Sequence, residues 1–477
     1  MTRLGRPDEV TTFLASVCDA LTALPAARLE AEKQVLAAEV ASRPYDFIGR
    51  LLTWRYGAVG YGLAGLPPLG QETATLEQLR LLAAERFTRA NAILWLSGPP
   101  PAGVRLELPE GTRRAAPTLT PILEELPCWY VDDACGGIAA AAMVPRAYST
   151  TLFGALATRW LRERLRREDA LSYAPHVGYE PLDRDTAHLV LYADSDAERR
   201  AELAEAFMRV VDGAADVDEA ELDEACREIL AGWTGSLAPP PEERAARDVQ
   251  VAAMDWVFGR EYESFEARAA GLAAVGAAEV AELGATVRGT ALFALPGQAI
   301  VTEAMGSEAL ASTVLPVTGR VVPSVDAPRR PERLILGDDG VTVLTGRGQD
   351  WTVRYDGLAA MLTFDDGALQ LIGMDAASIT VEPTLWRGGE LLCRQIRERV
   401  PAHLVFPQGA RPPEAIPHAA TTWQRLRTHL TSTRPLLLLL LGAALAAGVF
   451  FVTRVPILTV LTVVLYRWLV WPRLIDE

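Results

Sequence analysis

The chain has 477 residues, 50% of them hydrophobic, and 46 Lys and Arg against 61 Asp and Glu give a formal net charge of -15. That length exceeds one ordinary core and divides into roughly two to four folded units. The acidic balance, with no basic run, excludes a general nucleic-acid binder, whose phosphate contacts need a concentrated positive face.

The chain opens without the apolar run of a signal peptide, so its soluble part is expected on the cytoplasmic side of a membrane. Helical spacing runs through 9–24, 26–42, 76–90, 150–167, 197–211 and 219–233. Strand-like runs occupy 92–97, 104–108, 137–144, 172–179 and 186–192. This alternation predicts an α+β region, mixed sheet with packed helices. Cys18, Cys128, Cys135, Cys226 and Cys393 are odd in number and scattered, the pattern of reduced, core-filling thiols, with a Cys128–Cys135 redox pair as the alternative.

Two proline-rich stretches, 315–331 and 407–417, punctuate the rest. Between them short apolar runs at 333–336, 340–344, 351–355, 368–372 and 378–381 are separated by turn signals such as Asp338-Asp339-Gly340 and Asp365-Asp366-Gly367. A helical stretch at 388–400 closes the series. Meandering strands capped by one helix resemble a pleckstrin-homology-like domain at 332–406, flanked by linkers at 311–331 and 407–434.

The strongest segment signal follows. Residues 436–452 are seventeen without a charge, and at ~1.5 Å rise each they nearly cross a ~30 Å hydrocarbon layer. Residues 457–471 are again apolar apart from Arg467, so 435–472 reads as a transmembrane helical hairpin, with insertion from one leaflet as the rival. Arg425, Arg427 and Arg434 before it and Arg473 after it put both ends in the cytoplasm by the positive-inside bias. The expected location is the cell membrane, soluble domains on the cytoplasmic side.

Several short motifs lead nowhere. Gly60-Tyr61-Gly62-Leu63-Ala64-Gly65 has dinucleotide-loop spacing, yet helical sequence precedes it and Pro67-Pro68 follows, where a nucleotide site needs strand before and helix after. His176 and His188 fall on neighbouring expected strands and either meet or are ordinary strand residues. The remaining histidines, His403, His418 and His429, form no pair at helical spacing.

Glu32 and Glu39 stand seven apart in a helical stretch, so both carboxylates project from one face. Their segment, Glu32-Lys33-Gln34-Val35-Leu36-Ala37-Ala38-Glu39, is similar to the one that supplies the third zinc ligand in insulinase and pitrilysin peptidases. The glycine-rich stretch 57–70, the helix at 72–82 and the strand at 92–97 follow that family's order. Leu165-Arg166-Arg167-Glu168-Asp169-Ala170-Leu171-Ser172-Tyr173 then resembles its second-half signature. The resemblance covers about residues 5–300 and divides them into a truncated first half, 1–112, and a second half, 113–310. It implies Glu39 at the third-ligand position, Glu32 at that of an assisting carboxylate, and Arg167 and Tyr173 where the second half meets substrate.

The departure is the zinc motif itself. Active relatives use His-x-x-Glu-His on a helix, two imidazoles one turn apart with the Glu as base, and this chain contains no such motif. The expectation is therefore a membrane-anchored, catalytically degenerate relative that binds peptides or a protein partner, a catalytically intact peptidase-like chain among them, without zinc. The alternatives are an active zinc metalloendopeptidase whose start lies upstream with the motif, and a membrane-associated scaffold.

Overall fold

The computed structural model describes residues 5–418, apart from 43–45, 97, 114–119, 195, 215, 235–240, 298–300, 311, 327–331 and 346–349. Four helices come first: α1 (Pro7–Thr22), α2 (Leu29–Ser42), α3 (Phe47–Tyr56) and α4 (Leu76–Arg86). Local chemistry sets their starts. Asp46 accepts from the Gly49 amide at 2.9 Å to open α3, and Thr75 and Gln78 form a reciprocal capping box on α4.

A six-stranded sheet follows, built from β1 (Cys128–Val131), β2 (Gly137–Pro145), β3 (His176–Pro181), β4 (Thr186–Asp194), β5 (Leu292–Leu295) and β6 (Ser307–Glu308) in the order β3-β4-β2-β5-β1-β6. β1 runs parallel to β5 and β6, and the other pairs are antiparallel. Helices α5 (Tyr148–Leu161), α6 (Arg200–Gly213), α7 (Glu219–Thr234), α9 (Phe265–Ala273) and α10 (Ala277–Thr290) pack on one face, and α8 (Pro241–Val257) precedes α9. β2 shows why the segment reads as a continuous apolar run. Ile138, Ala140, Ala142 and Val144 enter the helical core, whereas Ala139 and Ala141 meet Leu51, Phe47 and Ile48 of α3 on the opposite face.

The expected strands at 92–97 and 104–108 are not formed among the described residues, and every strand of this sheet lies after residue 127. A strand needs a neighbour for its amides and carbonyls. Residues 47–65, the nearest candidates upstream, are folded instead as α3 and a short 3-10 helix, Gly60–Gly65. The first part of the chain is thus a helical layer rather than a second sheet-bearing half.

The next unit has two four-stranded sheets. β7 (Gly319–Pro323), β8 (Arg333–Gly337), β9 (Gly340–Leu344) and β10 (Asp350–Arg354) form an antiparallel meander; β11 (Leu358–Thr363), β12 (Leu369–Gly373) and β13 (Ser378–Val381) form another, with β14 (Val405–Pro407) added parallel to β11. The turns at Asp338-Asp339 and Asp365-Asp366-Gly367 fall where expected, the latter with Gly367 at φ +85°. Both sheets share one core with α11 (Gly389–Arg397), which inserts Leu392, Cys393 and Ile396.

Residues 407–417, expected as a linker, are bound to this unit. Gln408 donates its amide to Thr363 and its side chain to the Leu69 carbonyl at 3.3 Å. Arg411 pairs with Glu382 and Asp366, and Thr384 holds the Pro417 carbonyl. Among the described residues no single helix is long and apolar enough to cross a membrane. The expected hairpin, 435–472, lies outside the described residues with Arg425, Arg427, Arg434, Arg467 and Arg473.

Candidate functional site

The most constrained surface feature is the turn leading into β3. After α5 the helix widens into a π-helical turn, Arg162–Glu168, a rare geometry that is frequent at functional sites. Ala170 then adopts φ +48°, which a side chain bearing a Cβ disfavours. The strain is held by several groups. The Leu171 and Ser172 amides both donate to the Leu165 carbonyl at 2.7 and 3.1 Å, and Arg199 holds the Ala170 carbonyl at 3.0 Å. Asp194, at the end of β4, accepts from Ser172 Oγ at 2.6 Å and from the Ala174 amide at 2.7 Å. Burial alone would raise the Asp194 carboxyl; these hydrogen bonds outweigh it and leave the group below its ordinary value.

The product of this scaffold is an exposed tyrosine. Tyr173 is 78% accessible, and the Arg166 guanidinium lies 5.3 Å from its ring centre. Arg167 instead pairs with Glu163 at 2.8 Å, on the exposed side of the π-helical turn. Tyr173 leads directly into β3, whose outer edge carries no strand among the described residues. His176, Tyr179 and Glu180 are exposed along it. The turn therefore presents the Tyr173 hydroxyl and the Arg166 guanidinium at the approach to an open row of backbone donors and acceptors.

The acidic pair on α2 is a different matter. Glu32 is held by Arg28 at 2.6 Å, Glu39 is exposed on the same helix, and the intervening Lys33 reaches Glu30 and the Glu72 carbonyl. Among the described residues no group of three or more His, Cys, Asp and Glu is arranged to hold a metal ion. The donor set does not fit the zinc that the family resemblance implies for intact relatives. His176 and His188 do not meet either: the β3–β4 register sets His176 opposite Tyr192 and His188 opposite Glu180, at the two ends of the hairpin.

His188 belongs to a buried feature that sequence reading passed over. It is 1% exposed, and both ring nitrogens lack hydrogen-bond partners. Burial first, then the nearby Arg55 charge, pushes its pKa down to about 3. Arg55, on α3 and 2% exposed, donates to the Ala141 carbonyl at 3.0 Å and to the Thr290 carbonyl at 3.2 Å. It thereby caps the C-terminal end of α10, where positive charge is favoured. The one available signal was an arginine inside the apolar run Leu51-Leu52-Thr53-Trp54-Arg55-Tyr56.

The glycine-rich stretch is structural. A Cβ on Gly62 would stand 1.9 Å from the Gly57 carbonyl oxygen, so the 3-10 helix folds back on the end of α3 only without a side chain there. All five cysteines are free, with Cys18, Cys128, Cys135 and Cys393 buried. Burial pushes the Cys128 and Cys135 thiols up to about 11 and about 12, which keeps them protonated and unreactive.

No protein-family profile and no curated protein matches the chain. Among solved structures it is similar to the first half of the periplasmic protease PqqL from Escherichia coli, at 12% identity and TM-score 0.44, over 63% of this chain and 72% of that one. For the same protease at greater length the values are 12% and 0.45, over 74% of this chain and 45% of that one. A peptidase inactive domain from Pseudomonas fluorescens aligns at 17% identity and TM-score 0.45, over 63% of this chain and 78% of that one. At these identities and scores the likenesses assign the chain to no family.

Proposed function

We propose that this chain is a membrane-tethered, catalytically degenerate protein of insulinase-like fold that binds an extended peptide or a segment of a partner protein. The observation that carries this reading is the Tyr173 turn. Its backbone is strained at Ala170 and held by Asp194 and Arg199, and strain of this kind persists where the surroundings over-determine it, commonly at ligand clamps. The exposed side chain that results sits at the head of an open edge strand. An extended segment adding to β3 would gain main-chain hydrogen bonds along the edge, with its end beside the Tyr173 hydroxyl and the Arg166 and Arg167 guanidinium groups.

The motif order from Glu32 to Tyr173 supports the insulinase-like reading, and a catalytically intact peptidase-like chain is a natural partner. The two meanders capped by α11 support a pleckstrin-homology-like reading of the β-rich unit. Zinc has no part in the proposal.

The test uses the full chain in detergent micelles or nanodiscs, with labelled unstructured peptides and native membrane extracts as probes. Tyr173→Phe keeps the ring and removes the hydroxyl. A lost neutral hydrogen bond of about 1 kcal/mol predicts roughly fivefold weaker capture, and Arg167→Ala or Arg166→Ala should weaken it in the same direction. Unchanged capture in all three variants, with unchanged melting temperature, would leave the turn without a binding role.

A further inference from the structure

The hydrogen-bonding parity of β3 fixes what its open edge offers. Pro181 has no N–H and stands opposite Ala187, so that pair is a non-hydrogen-bonded one, and the next amide, Leu182, donates inward to the Thr186 carbonyl at 3.0 Å. Counting back in twos, His176, Gly178 and Glu180 bond to β4. The Val177 and Tyr179 amides and carbonyls point outward, where no strand meets them among the described residues. The side chains alternate in step. Val177 packs on the helical core, which puts Tyr179 on that face, and the His176 ring lies 6.4 Å from Phe47 of α3, which puts Gly178 and Glu180 on the α3 face. His176, Tyr179 and Glu180 are exposed. Charge is uneven along the strand. In the turn before it the acids Glu163, Glu168 and Asp169 are paired with Arg167 and Arg164, and Arg166 lies against the Tyr173 ring; at its far end Glu180, Asp183 and Asp185 stand against one arginine, Arg184.

From this arrangement we infer that the edge takes the same edge of a second copy of the chain, β3 against β3, antiparallel about a twofold axis at Gly178. The inference rests on the proposed reading of β3 as a strand-adding edge and names its partner. In this register Val177 of each copy lies opposite Tyr179 of the other. Both are outward-bonding residues, so each pair exchanges its main-chain bonds, about four in all. The side chains are self-complementary, as a twofold interface requires. Val177 and Tyr179 make a β-branched and aromatic pair on one face, and His176 falls opposite Glu180 of the other copy on the α3 face, each pair occurring twice. Gly178 meets itself on the axis, at a non-hydrogen-bonded position where opposed Cα atoms approach to about 4.5 Å; without a Cβ it leaves that point clear. Beyond the strands, Tyr173 and Arg166 of one copy come to the turn of the other that holds Asp183 and Asp185. Other registers forfeit this match. Moving the axis by one residue sets Glu180 against Gly178 or Ala174, and moving it two residues toward the strand end sets Glu180 against itself.

The test is disulfide cross-linking of the full chain in detergent micelles under a mild oxidant, in a Cys226→Ala background, since Cys226 is the one native cysteine that is not buried. Gly178→Cys should give a covalent dimer, because its Cα atoms would meet on the axis within disulfide range. A Cβ there stands 3.9 Å from the Val190 side chain, an ordinary contact, so the substitution is tolerated. Glu180→Cys alone should give none, its two copies being about 14 Å apart. The double variant His176→Cys/Glu180→Cys, which keeps Gly178, should cross-link again. Glu180→Arg should slow cross-linking at 178 about tenfold by opposing like charges at two places, and adding His176→Glu should restore it. No dimer from either Gly178→Cys or the double variant, at the parental melting temperature, would overturn the inference. So would equal cross-linking from Glu180→Cys alone, which marks another register or chance encounter. If the same preparation without dimer still captures labelled peptides, the strand-adding edge stands and only its pairing with a second copy falls; loss of capture as well removes both.

Discussion

His188 and Arg55 form a pair that ought to repel and yet share one buried site. The arrangement stands because His188 is neutral there and Arg55 has two carbonyls to donate to. Its pH consequence has a definite sign. Burial, and then the Arg55 charge, pushes the folded His188 pKa down to about 3 from the ordinary 6.5 of the unfolded chain, so between those values the unfolded state holds the extra proton. The neutral site contributes its stability fully above pH 6.5 and loses it as the pH falls below that value, by up to about 1.4 kcal/mol per pH unit. Melting curves from pH 7 to 5 should show this decline, and His188→Leu should flatten it. An equally steep decline in the variant would place its origin elsewhere. Arg55→Met should bring the His188 pKa partway back up, readable by imidazole NMR, and should destabilise by about 1–3 kcal/mol for each carbonyl left unpaired. Neither effect was legible beforehand. A histidine in a strand says nothing of its partner across the sheet, and the partner here is 133 positions away on a helix.

Among elements, α3 and the strap carry the connections between units. Gly57, at φ +71°, ends α3 where a Cβ would stand 2.2 Å from the Met374 carbonyl, and the next amide, Ala58, donates to that carbonyl at 2.9 Å. Gly57→Ala combines a positive-φ conformation that essentially only glycine adopts, about 1–3 kcal/mol, with a backbone clash, and should lower the melting temperature by several degrees. A melt within error of the parent would show that the two units do not depend on this joint. The strap gives a second check. Arg411 lies between Glu382 and Asp366, and its neighbour Gln408 touches Leu69. Arg411→Gln should raise hydrogen exchange in 405–411 and also in 66–72, because the same backbone holds both; a rise confined to 405–411 would show the strap to be local. Boundaries within these elements were partly readable. α1, β2, β9 and β13 fall close to their expected spans, each marked by a clear period or flanking turn. β1, β5 and β6 were missed, being only two to four residues long and paired across more than a hundred positions.

For the whole molecule, the proposed reading makes two joined statements. A chain ending at His418 should be recovered without membranes if 435–472 is the anchor, and a reporter fused after Glu477 should be accessible from the cytoplasm; an external reporter would break the hairpin arrangement. The purified full chain should also hold zinc far below one equivalent. With Glu32 engaged by Arg28 and no metal-holding group of His, Cys, Asp and Glu among the described residues, a carboxylate-only set is a poor zinc site. Chelator-sensitive cleavage that disappears in Glu39→Gln would reverse that conclusion.

By itself the sequence determined what depends on near neighbours in the chain. The α+β alternation, the single series of turn-delimited strands, the helix closing it, and the missing His-x-x-Glu-His motif are all local facts, set by period, turn chemistry and residue type; the division of that series into two sheets was not among them. Tertiary structure decided what depends on distant partners. It folded 47–65 as a helical cover on the sheet and left 92–96 without a strand neighbour, and it turned 407–417 from linker into strap. It gave Tyr173 the company of Arg166 rather than Arg167. A side chain's partners are set by which backbones come together, and local pattern carries almost no information about pairings of that range.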